Sequence, residues 1–307
     1  MGGATLAEAS VQVCGGVLGA PLLPGLIQAA KARLQGRRGP GPLQPYRELR
    51  RLWSKSTVEV EGATPVYRWA PATVAACMVA AVLLVPAAGV APGWGVGHDA
   101  FALVGLLALA RFAIAAAAWD TGNGFALMGA SRDLTISVFM EAALVLSLGV
   151  ASLSAGTTDL RGVVVGTAGG GAWATPALAL AGLAFGIVVV AETGRQPVDN
   201  PDTHLELTMI HEGPLLEYAG RDQAYLQWAA AARHWIVLVI AAQVLLPHGR
   251  TVAAQLAALP AVLVVLAGAL AVLETVVAKM RVLFVPRLLG VGSALALLGV
   301  AAWLAPR

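Results

Sequence analysis

The chain has 307 residues, of which 58% are hydrophobic and only 12% are charged, with a formal net charge of +3. Soluble domains carry about 25% charged residues, so this composition cannot provide a polar surface in water and predicts contact with lipid. It excludes a soluble enzyme, a nucleic-acid-binding module and a disulfide scaffold. The small positive charge is typical of membrane-protein loops.

Apolar stretches long enough to cross a bilayer recur along the chain, since a span needs about 20 apolar residues. Charge-free stretches cover 9–30, 69–98, 162–191, 251–273 and 288–306. Three more spans are predicted if buried charges are tolerated: Ala100–Trp119 with Arg111, Leu134–Ala155 with Glu141, and Ala229–Pro247. No basic residue precedes the first span, which begins near Leu6, so it is not typical of a secretion signal. The sequence therefore predicts an all-α polytopic membrane protein with about eight transmembrane helices.

The basic residues predict the orientation of these spans. Nearly all Lys and Arg residues of the connections lie in the loops 31–68, 119–133, 192–228 and 278–288, whereas the opposite face carries only Arg161, Arg250 and Arg307. Cytoplasmic loops are enriched in Lys and Arg, so we expect these four loops in the cytoplasm and both termini outside. The loops are too short for a separate folded domain. Residues 1–307 are thus expected to form one transmembrane domain.

The loop after the fifth span is dense in ionisable residues. It reads ETGRQPVDNPDTHLELTMIHEGPLLEYAGRD. Crowded carboxylates beside a bilayer repel one another and lose solvation, and both effects raise their pKa values toward neutrality. The loop therefore predicts either a proton-handling cluster or a structural docking segment. Its acidic residues are Glu192, Asp199, Asp202, Glu206, Glu212, Glu217 and Asp222.

Zinc binding is a rival interpretation of this loop. The residues that could provide ligands are His204, Glu206, His211 and Glu212. In the metalloprotease motif H-E-x-x-H two histidines lie one helical turn apart, but here Gly213 and Pro214 follow His211-Glu212 and the second histidine is missing. His204 and His211 are close to two helical turns apart, which is too far for one ion on a straight helix. We therefore predict no metal site.

Ionisable residues inside the predicted spans form a second group. Arg111 and Glu141 both lie about 10–12 Å below the cytoplasmic surface at 1.5 Å per residue, so the two could pair. A lone charge at mid-membrane costs about 2.5–3.5 kcal/mol, and such residues normally mark ion paths or fixed pairs. Glu274 lies near the cytoplasmic end of the seventh span, where it is predicted either to pair with Lys279 or Arg281 or to relay protons.

A basic loop, KARLQGRRGPGPLQPYRELRRLWSK, follows the first span. Its residues Arg37 and Arg38 precede a Gly-Pro-Gly-Pro turn that cannot continue a helix. Topology alone, with phospholipid head groups as counter-ions, accounts for most of these charges. The functional alternative is a docking surface for an acidic soluble partner.

The chain resembles the membrane subunit shared by respiratory complex I (subunit 1) and membrane-bound nickel-iron hydrogenases. The resemblance is carried by the eight-span plan and by two runs, GRRGPGPLQPYRELRRLWSK and ETGRQPVDNPDTHLELTMIHEGPLLEYAGRD. The resemblance covers nearly the whole chain. The second run looks like the branch of formate hydrogenlyase and hydrogenase-4 membrane subunits. The complex I branch has a PFD-type motif in the matching loop. Here that motif is replaced by Pro197-Val198-Asp199, which leads into Asn200-Pro201-Asp202-Thr203-His204.

This resemblance implies that soluble partners carry the redox chemistry and that this chain anchors them. A nickel-iron centre and iron–sulfur clusters are expected in partner subunits and no cofactor in this chain, whose cysteines, Cys14 and Cys77, are far apart. The implied partners are hydrogenase-like large and small subunits, an iron–sulfur subunit, antiporter-like membrane subunits and the lipid bilayer, with no nucleic acid. The implied location is the cell inner (plasma) membrane.

The expected site residues fall into two groups, with no catalytic residue and no metal ligand among them. The proton-coupling group is Glu141, Glu192, Asp199, Asp202, Glu206, Glu212, Glu217, Glu274 and Arg111. The partner-docking group is Arg37, Arg38, Arg195, His204, His211 and Arg221.

The implied function is that of a membrane anchor and proton-coupling subunit in a hydrogenase or formate hydrogenlyase type of oxidoreductase complex. One alternative is the quinone-site subunit of an NADH-quinone oxidoreductase, so quinone remains an open partner. Another is a stand-alone ion transporter, which is disfavoured because the sequence lacks the internal repeats of many transporters.

Overall fold

The computed structural model describes residues 13–86, 99–168, 175–199, 210–245 and 252–305, and within these ranges it contains helices and no β-strand. The helices are α1 (Leu22–Leu34), α2 (Gln44–Trp53), α3 (Pro65–Leu84), α4 (Ala100–Asp120), α5 (Gly124–Ala155), α6 (Leu160–Ala168), α7 (Pro176–Glu192), α8 (Gly220–Leu245), α9 (Val252–Val276) and α10 (Val285–Leu304). Short 3₁₀ helices cover Gly213–Leu215 and Val282–Phe284.

Several helices are long and apolar enough to cross a membrane. By length and composition these are Pro65–Leu84, Ala100–Asp120, Gly124–Ala155, Ala254–Val276 and Val282–Leu304. Helix α7 is also apolar but has only 17 residues. The predicted all-α polytopic membrane fold is confirmed, whereas the count of eight spans and the location of the termini stay predictions.

The predicted first span is interrupted. Residues 13–17 are helical, and the chain turns at 18–21 before α1 begins at Leu22. Pro21 and Pro24 have no backbone N–H to donate, so a continuous helix would lose hydrogen bonds here. A carbonyl freed by the break is bonded from α8, because the Trp228 indole donates to the Val17 oxygen at 2.9 Å.

Two further boundaries differ from the predicted ones. The predicted span 162–191 is divided into α6 and α7, with 169–174 outside the described residues. Helix α5 begins at Gly124 rather than near Leu134, because the Asn123 side chain accepts the Phe125 backbone N–H at 2.8 Å and caps the helix. Arg132 and Asp133, whose charges predict a loop, therefore lie within the helix.

The connections that are predicted to share one side contact one another. The hydrogen bonds that join them include Thr64 N–H to Asp120 Oδ2 at 2.8 Å, Tyr67 hydroxyl to the Glu217 carbonyl at 2.9 Å, and Met280 N–H to the Pro197 carbonyl at 2.9 Å. At a connection predicted on the opposite side, the Thr158 hydroxyl donates to Asp99 at 2.7 Å. These contacts agree with connections that alternate between the two sides of the bundle. That the side with the basic residues is cytoplasmic stays a prediction.

The bundle has two packed groups of helices. Helices α5, α7 and α10 contact one another, and α3 packs against both α4 and α8. Contacts between α4 and α5 and between α7 and α8 join the groups. Arg111 on α4, Glu141 on α5, Glu192 on α7 and Arg233 on α8 lie where the two groups meet.

Candidate functional site

Arg111 is the centre of a buried ionic cluster. Its side chain is only 3% exposed, on a helix that is otherwise apolar up to its last residue, Asp120. It donates to Glu141 at 2.7 Å and to both Glu192 oxygens at 3.0 and 3.2 Å, and its Nε lies 3.7 Å from Asp133. The predicted pairing of Arg111 with Glu141 is confirmed. Burial of a guanidinium at this depth requires such compensation, because an unpaired ion in a low-dielectric interior is very costly.

Glu192 requires nearby cations for two reasons: it is buried, and it is the last residue of α7. The C-terminus of a helix carries a partial negative charge, which disfavours a carboxylate there. Arg111 and Arg233, which reaches the carboxylate from α8 at 3.2 Å, together offset this repulsion. One carboxylate thus joins α4, α7 and α8.

His211 extends the cluster beyond the helices. Its Nδ1 lies 3.0 Å from Asp133 Oδ1, in the segment between α7 and α8. Burial alone would lower the pKa of His211, but the hydrogen bond to Asp133 and the negative charges of Asp133 and Asp199 outweigh that effect and raise the pKa above its ordinary value. The imidazolium form of His211 is therefore more stable at this position than on an exposed histidine.

A second ionic cluster surrounds Glu274. This fully buried carboxylate lies 3.1 Å from Arg195 and 3.3 Å from Lys31. One of the two alternatives predicted for Glu274 was an ion pair with Lys279 or Arg281, whereas Lys279 contacts Asp199 at 2.9 Å. The difference arises because Arg195 and Lys31 come from distant parts of the chain, which a local charge pattern does not reveal. The other alternative, a proton relay, stays a prediction.

Asp199 connects the residues that follow α7 with the residues that precede α8. One of its oxygens accepts the backbone N–H groups of Ile210 and His211, each at 3.3 Å, and the other accepts from Lys279. Residues 199 and 210 are thereby held together. The same bonds position His211 beside Asp133.

Many of these residues line a cavity of about 240 Å³. Its ionisable lining residues include Arg111, Asp133, Glu192, Arg195, Asp199, His211, Glu212, Arg233 and His234. Its apolar lining residues include Val74, Met78, Ala110, Ile114, Leu215 and Leu226. The cavity can therefore hold a proton-exchanging group or the head of an amphipathic molecule.

Gly194 shapes the cavity wall next to His211. Its φ is +58°, and an added Cβ would lie 2.7 Å from His211 Cδ2. We expect Gly194→Ala to lower the free energy of unfolding by about 1–3 kcal/mol, since both the backbone angle and the imidazole oppose a side chain. Thermal unfolding of the full chain in detergent measures this loss. Gly186→Ala, in a helix with open space around the added carbon, is the matched control, and an equal loss in both variants would contradict the expectation.

The structure brings some of the predicted site residues together and separates others. Arg111, Glu141 and Glu192 belong to one cluster, and Arg195, Asp199, His211 and Glu212 line the cavity. Glu274 pairs with Arg195 but does not line the cavity. Glu217 does not line the cavity; it contacts Asn123 at the start of α5. Arg37, Arg38 and Arg221 are exposed. The predicted residues Asp202, His204 and Glu206 lie outside the described residues.

Four partners in these clusters were not predicted as site residues: Lys31, Asp133, Arg233 and Lys279. The sequence did contain a signal for Arg233, which is a charge within a predicted span. Asp133 gave no such signal, because its helix was predicted to begin after it.

The comparisons with known proteins agree with this architecture. The chain matches the NADH dehydrogenase family over residues 9–302. It is 33% identical to hydrogenase-4 component C of Escherichia coli (strain K12), with 92% of this chain and 91% of the relative covered. It is 32% identical to formate hydrogenlyase subunit 4 of the same organism, with 93% and 94% covered.

Two more distant matches are one relative by sequence and one solved structure. An NADH-quinone oxidoreductase subunit of Koribacter versatilis (strain Ellin345) is 30% identical over 65% of this chain and 50% of its own length. A chain of the membrane-bound sulfane sulfur reductase, an archaeal respiratory membrane complex, superposes with a TM-score of 0.83 at 20% identity, covering 97% of this chain and 99% of that one. The chain belongs to the NADH dehydrogenase family, as a membrane subunit of the complex I subunit 1 type.

Proposed function

We propose that this chain is the membrane anchor and proton-coupling subunit of a hydrogenase or formate hydrogenlyase type of oxidoreductase complex in the plasma membrane. The observation that carries the proposal is the Arg111 cluster, in which ion pairs connect residues that line the cavity, Asp133 and Glu192, with Glu141 on α5. Similarity to two hydrogenase-type membrane subunits over nine-tenths of the chain supports the branch.

The cluster offers a physical route for coupling. Three carboxylates compete for the Arg111 guanidinium, and Glu141 is the most exposed of them, at 28% against 9% for Asp133 and 0% for Glu192. A change of charge at the cavity alters which carboxylate the cation neutralises. The carboxylate that loses the cation becomes a better proton acceptor, because a nearby positive charge favours the ionised form. Redox events in docked subunits thereby move protons into the membrane part.

The docking role is assigned to the exposed basic residues Arg37, Arg38 and Arg221. Arg195 and His211 are better assigned to the cavity, since both line it and pair with buried carboxylates. The proposed partners are hydrogenase-like large and small subunits with a nickel-iron centre, an iron–sulfur subunit and antiporter-like membrane subunits. Only the partners hold redox centres in this proposal.

Charge reversal tests the docking surface. We expect the double variant Arg37→Glu/Arg38→Glu to weaken binding of the soluble partners by about tenfold at low salt, because rim charges steer association. Copurification at increasing salt concentration measures the loss. Arg161→Glu, on the face predicted to lie opposite, is the control. Equal retention of partners by both variants would contradict the docking assignment.

The apolar lining residues of the cavity favour one second candidate, a quinone-reducing subunit. Val74, Met78 and Ile114 line the cavity together with polar groups, and such a mixture suits the ring of a quinone. The two functions differ in the activity of the intact complex, since a quinone-reducing complex transfers electrons between NADH and quinone and a hydrogenase complex makes or consumes hydrogen.

Purification of the complex through a tag on this chain tests the proposal. We expect nickel and iron to copurify with hydrogen-converting activity, and the chain stripped of its partners to retain neither metal. A complex that lacks nickel and reduces quinone would establish the second candidate. Redox metal bound by the isolated chain would contradict the anchor role.

A further inference from the structure

His211 lies between the cavity and the Arg111 cluster, so it contacts both. Its Nδ1 lies 3.0 Å from Asp133, and its ring packs close to Gly194, which also lines the cavity. The bond to Asp133 fixes the neutral tautomer, because a carboxylate accepts a hydrogen bond and the proton must therefore reside on Nδ1. The other ring nitrogen, Nε2, then carries a lone pair.

The Nε2 atom of His211 is buried and has no hydrogen-bond partner among the described residues. A buried acceptor without a partner is unfavourable by the full loss of its solvation. A proton at Nε2 turns this acceptor into a donor and the ring into a cation. The surrounding charges decide whether that cation is favourable.

The ion-paired cluster has an excess of negative charge when His211 is neutral. Two cations, Arg111 and Arg233, are linked to three carboxylates, Asp133, Glu141 and Glu192. An imidazolium at position 211 balances the set. The other ionisable groups around His211 are Asp199, which pairs with Lys279, the neighbouring Glu212, and Arg195 and His234, which line the same cavity.

We propose that His211 is a proton-binding switch of this site: a proton taken up at Nε2 from the cavity neutralises the cluster and frees Arg111 to hold Glu141. The proposal rests on the proposed coupling function and names the group that regulates it. One N–H bond forms at Nε2, the Nδ1–H bond to Asp133 persists, and the site gains one positive charge.

The switch acts through competition for Arg111. While His211 is protonated, Asp133 has a cationic partner of its own and Arg111 pairs with Glu141 and Glu192. When His211 is neutral, Asp133 is left with the Arg111 guanidinium, 3.7 Å away, as its ion-pair partner and draws it away from Glu141. Glu141 is then the carboxylate that accepts a proton.

Titration of the histidines by NMR tests the switch. The full chain in detergent, labelled at histidine Cε1, contains five histidines, and His211→Asn identifies the His211 signal by its loss. We expect the midpoint of this signal to lie above pH 6.5, the ordinary pKa of a histidine. We expect Asp133→Asn to shift the midpoint to lower pH. His234→Gln, in the same cavity, should leave the midpoint unchanged.

A His211 signal that does not titrate between pH 5 and 9, or whose midpoint lies at or below the ordinary value, would overturn the proposal. Where Asp133→Asn does not fold, the wild-type midpoint decides alone. The sign can also be checked by thermal unfolding. The stabilisation of wild type over His211→Asn should be complete below the pKa of this histidine in the unfolded state. It should disappear as pH rises through the higher pKa of His211 in the native state.

The intact complex in vesicles tests whether the switch regulates coupling. We expect the wild-type ratio of protons moved to turnover to fall as pH rises through the His211 midpoint, and His211→Asn to abolish that pH dependence. An unchanged profile in His211→Asn would overturn the regulatory role. If wild type moves no protons at any pH, the proposed coupling function fails, while the NMR titration still decides whether His211 binds the proton.

Discussion

Replacing Glu192 with Gln should lower the free energy of unfolding by about 3–5 kcal/mol, the usual result of removing one partner from a buried ion pair. The effect is large because Glu192 is fully buried and accepts from both Arg111 and Arg233. Its loss leaves two guanidinium groups facing each other with one carboxylate fewer. The repulsion acts between α4 and α8, which the carboxylate normally holds together with α7.

Unfolding of the full chain in detergent, followed by circular dichroism, measures this loss. Glu59→Gln is a matched control, since the same chemical change removes an exposed pair with Arg68 at 3.2 Å. The control should change stability by about 0–1 kcal/mol. Similar small changes in both variants would show that the Arg111 cluster does not stabilise the bundle.

Replacing Glu141 with Gln should uncouple proton movement from redox turnover in the intact complex. Gln keeps the size of the side chain and can accept from Arg111, but it cannot take up a proton in exchange. Because Glu141 is 28% exposed, we expect folding to be affected less than in Glu192→Gln. Proton translocation should fall by about a hundredfold, the order of magnitude of a lost acid–base group, with turnover retained.

The measurement is the ratio of protons translocated to substrate converted in sealed vesicles. Glu59→Gln is again the control, and it should keep the wild-type ratio. A wild-type ratio in Glu141→Gln would rule out this carboxylate as a relay. Parallel loss of both turnover and translocation would instead assign Glu141 a purely structural part.

The sequence predicted those features that depend on local patterns. Long apolar stretches predicted α4, α9 and α10 to within a few residues, because bilayer thickness sets a minimum length for a span. The stretch 69–98 also predicted α3, but this helix covers Pro65–Leu84 and ends well before residue 98. The equal depth of Arg111 and Glu141 predicted their ion pair, since two buried charges of opposite sign have few other ways to be compensated.

Features that depend on distant parts of the chain could not be predicted in the same way. Glu274 pairs with Lys31 and Arg195, which only the packing of α1 against α9 and the turn after α7 bring together. The start of α5 was misplaced because the charge of Asp133 is typical of a loop until its partners His211 and Arg111 are known. Interruptions such as the turn before α1 likewise depend on the side chains that bond the freed carbonyls.

The most direct test of the coupling role is to measure hydrogen conversion and proton translocation in the same vesicles, using the complex purified through this chain. We predict that both activities are present, that a protonophore abolishes the proton gradient but not the hydrogen conversion, and that vesicles with this chain alone show neither. Hydrogen conversion without proton movement would contradict the coupling role. Ion flux through the chain alone would contradict its assignment as a subunit and establish a transporter.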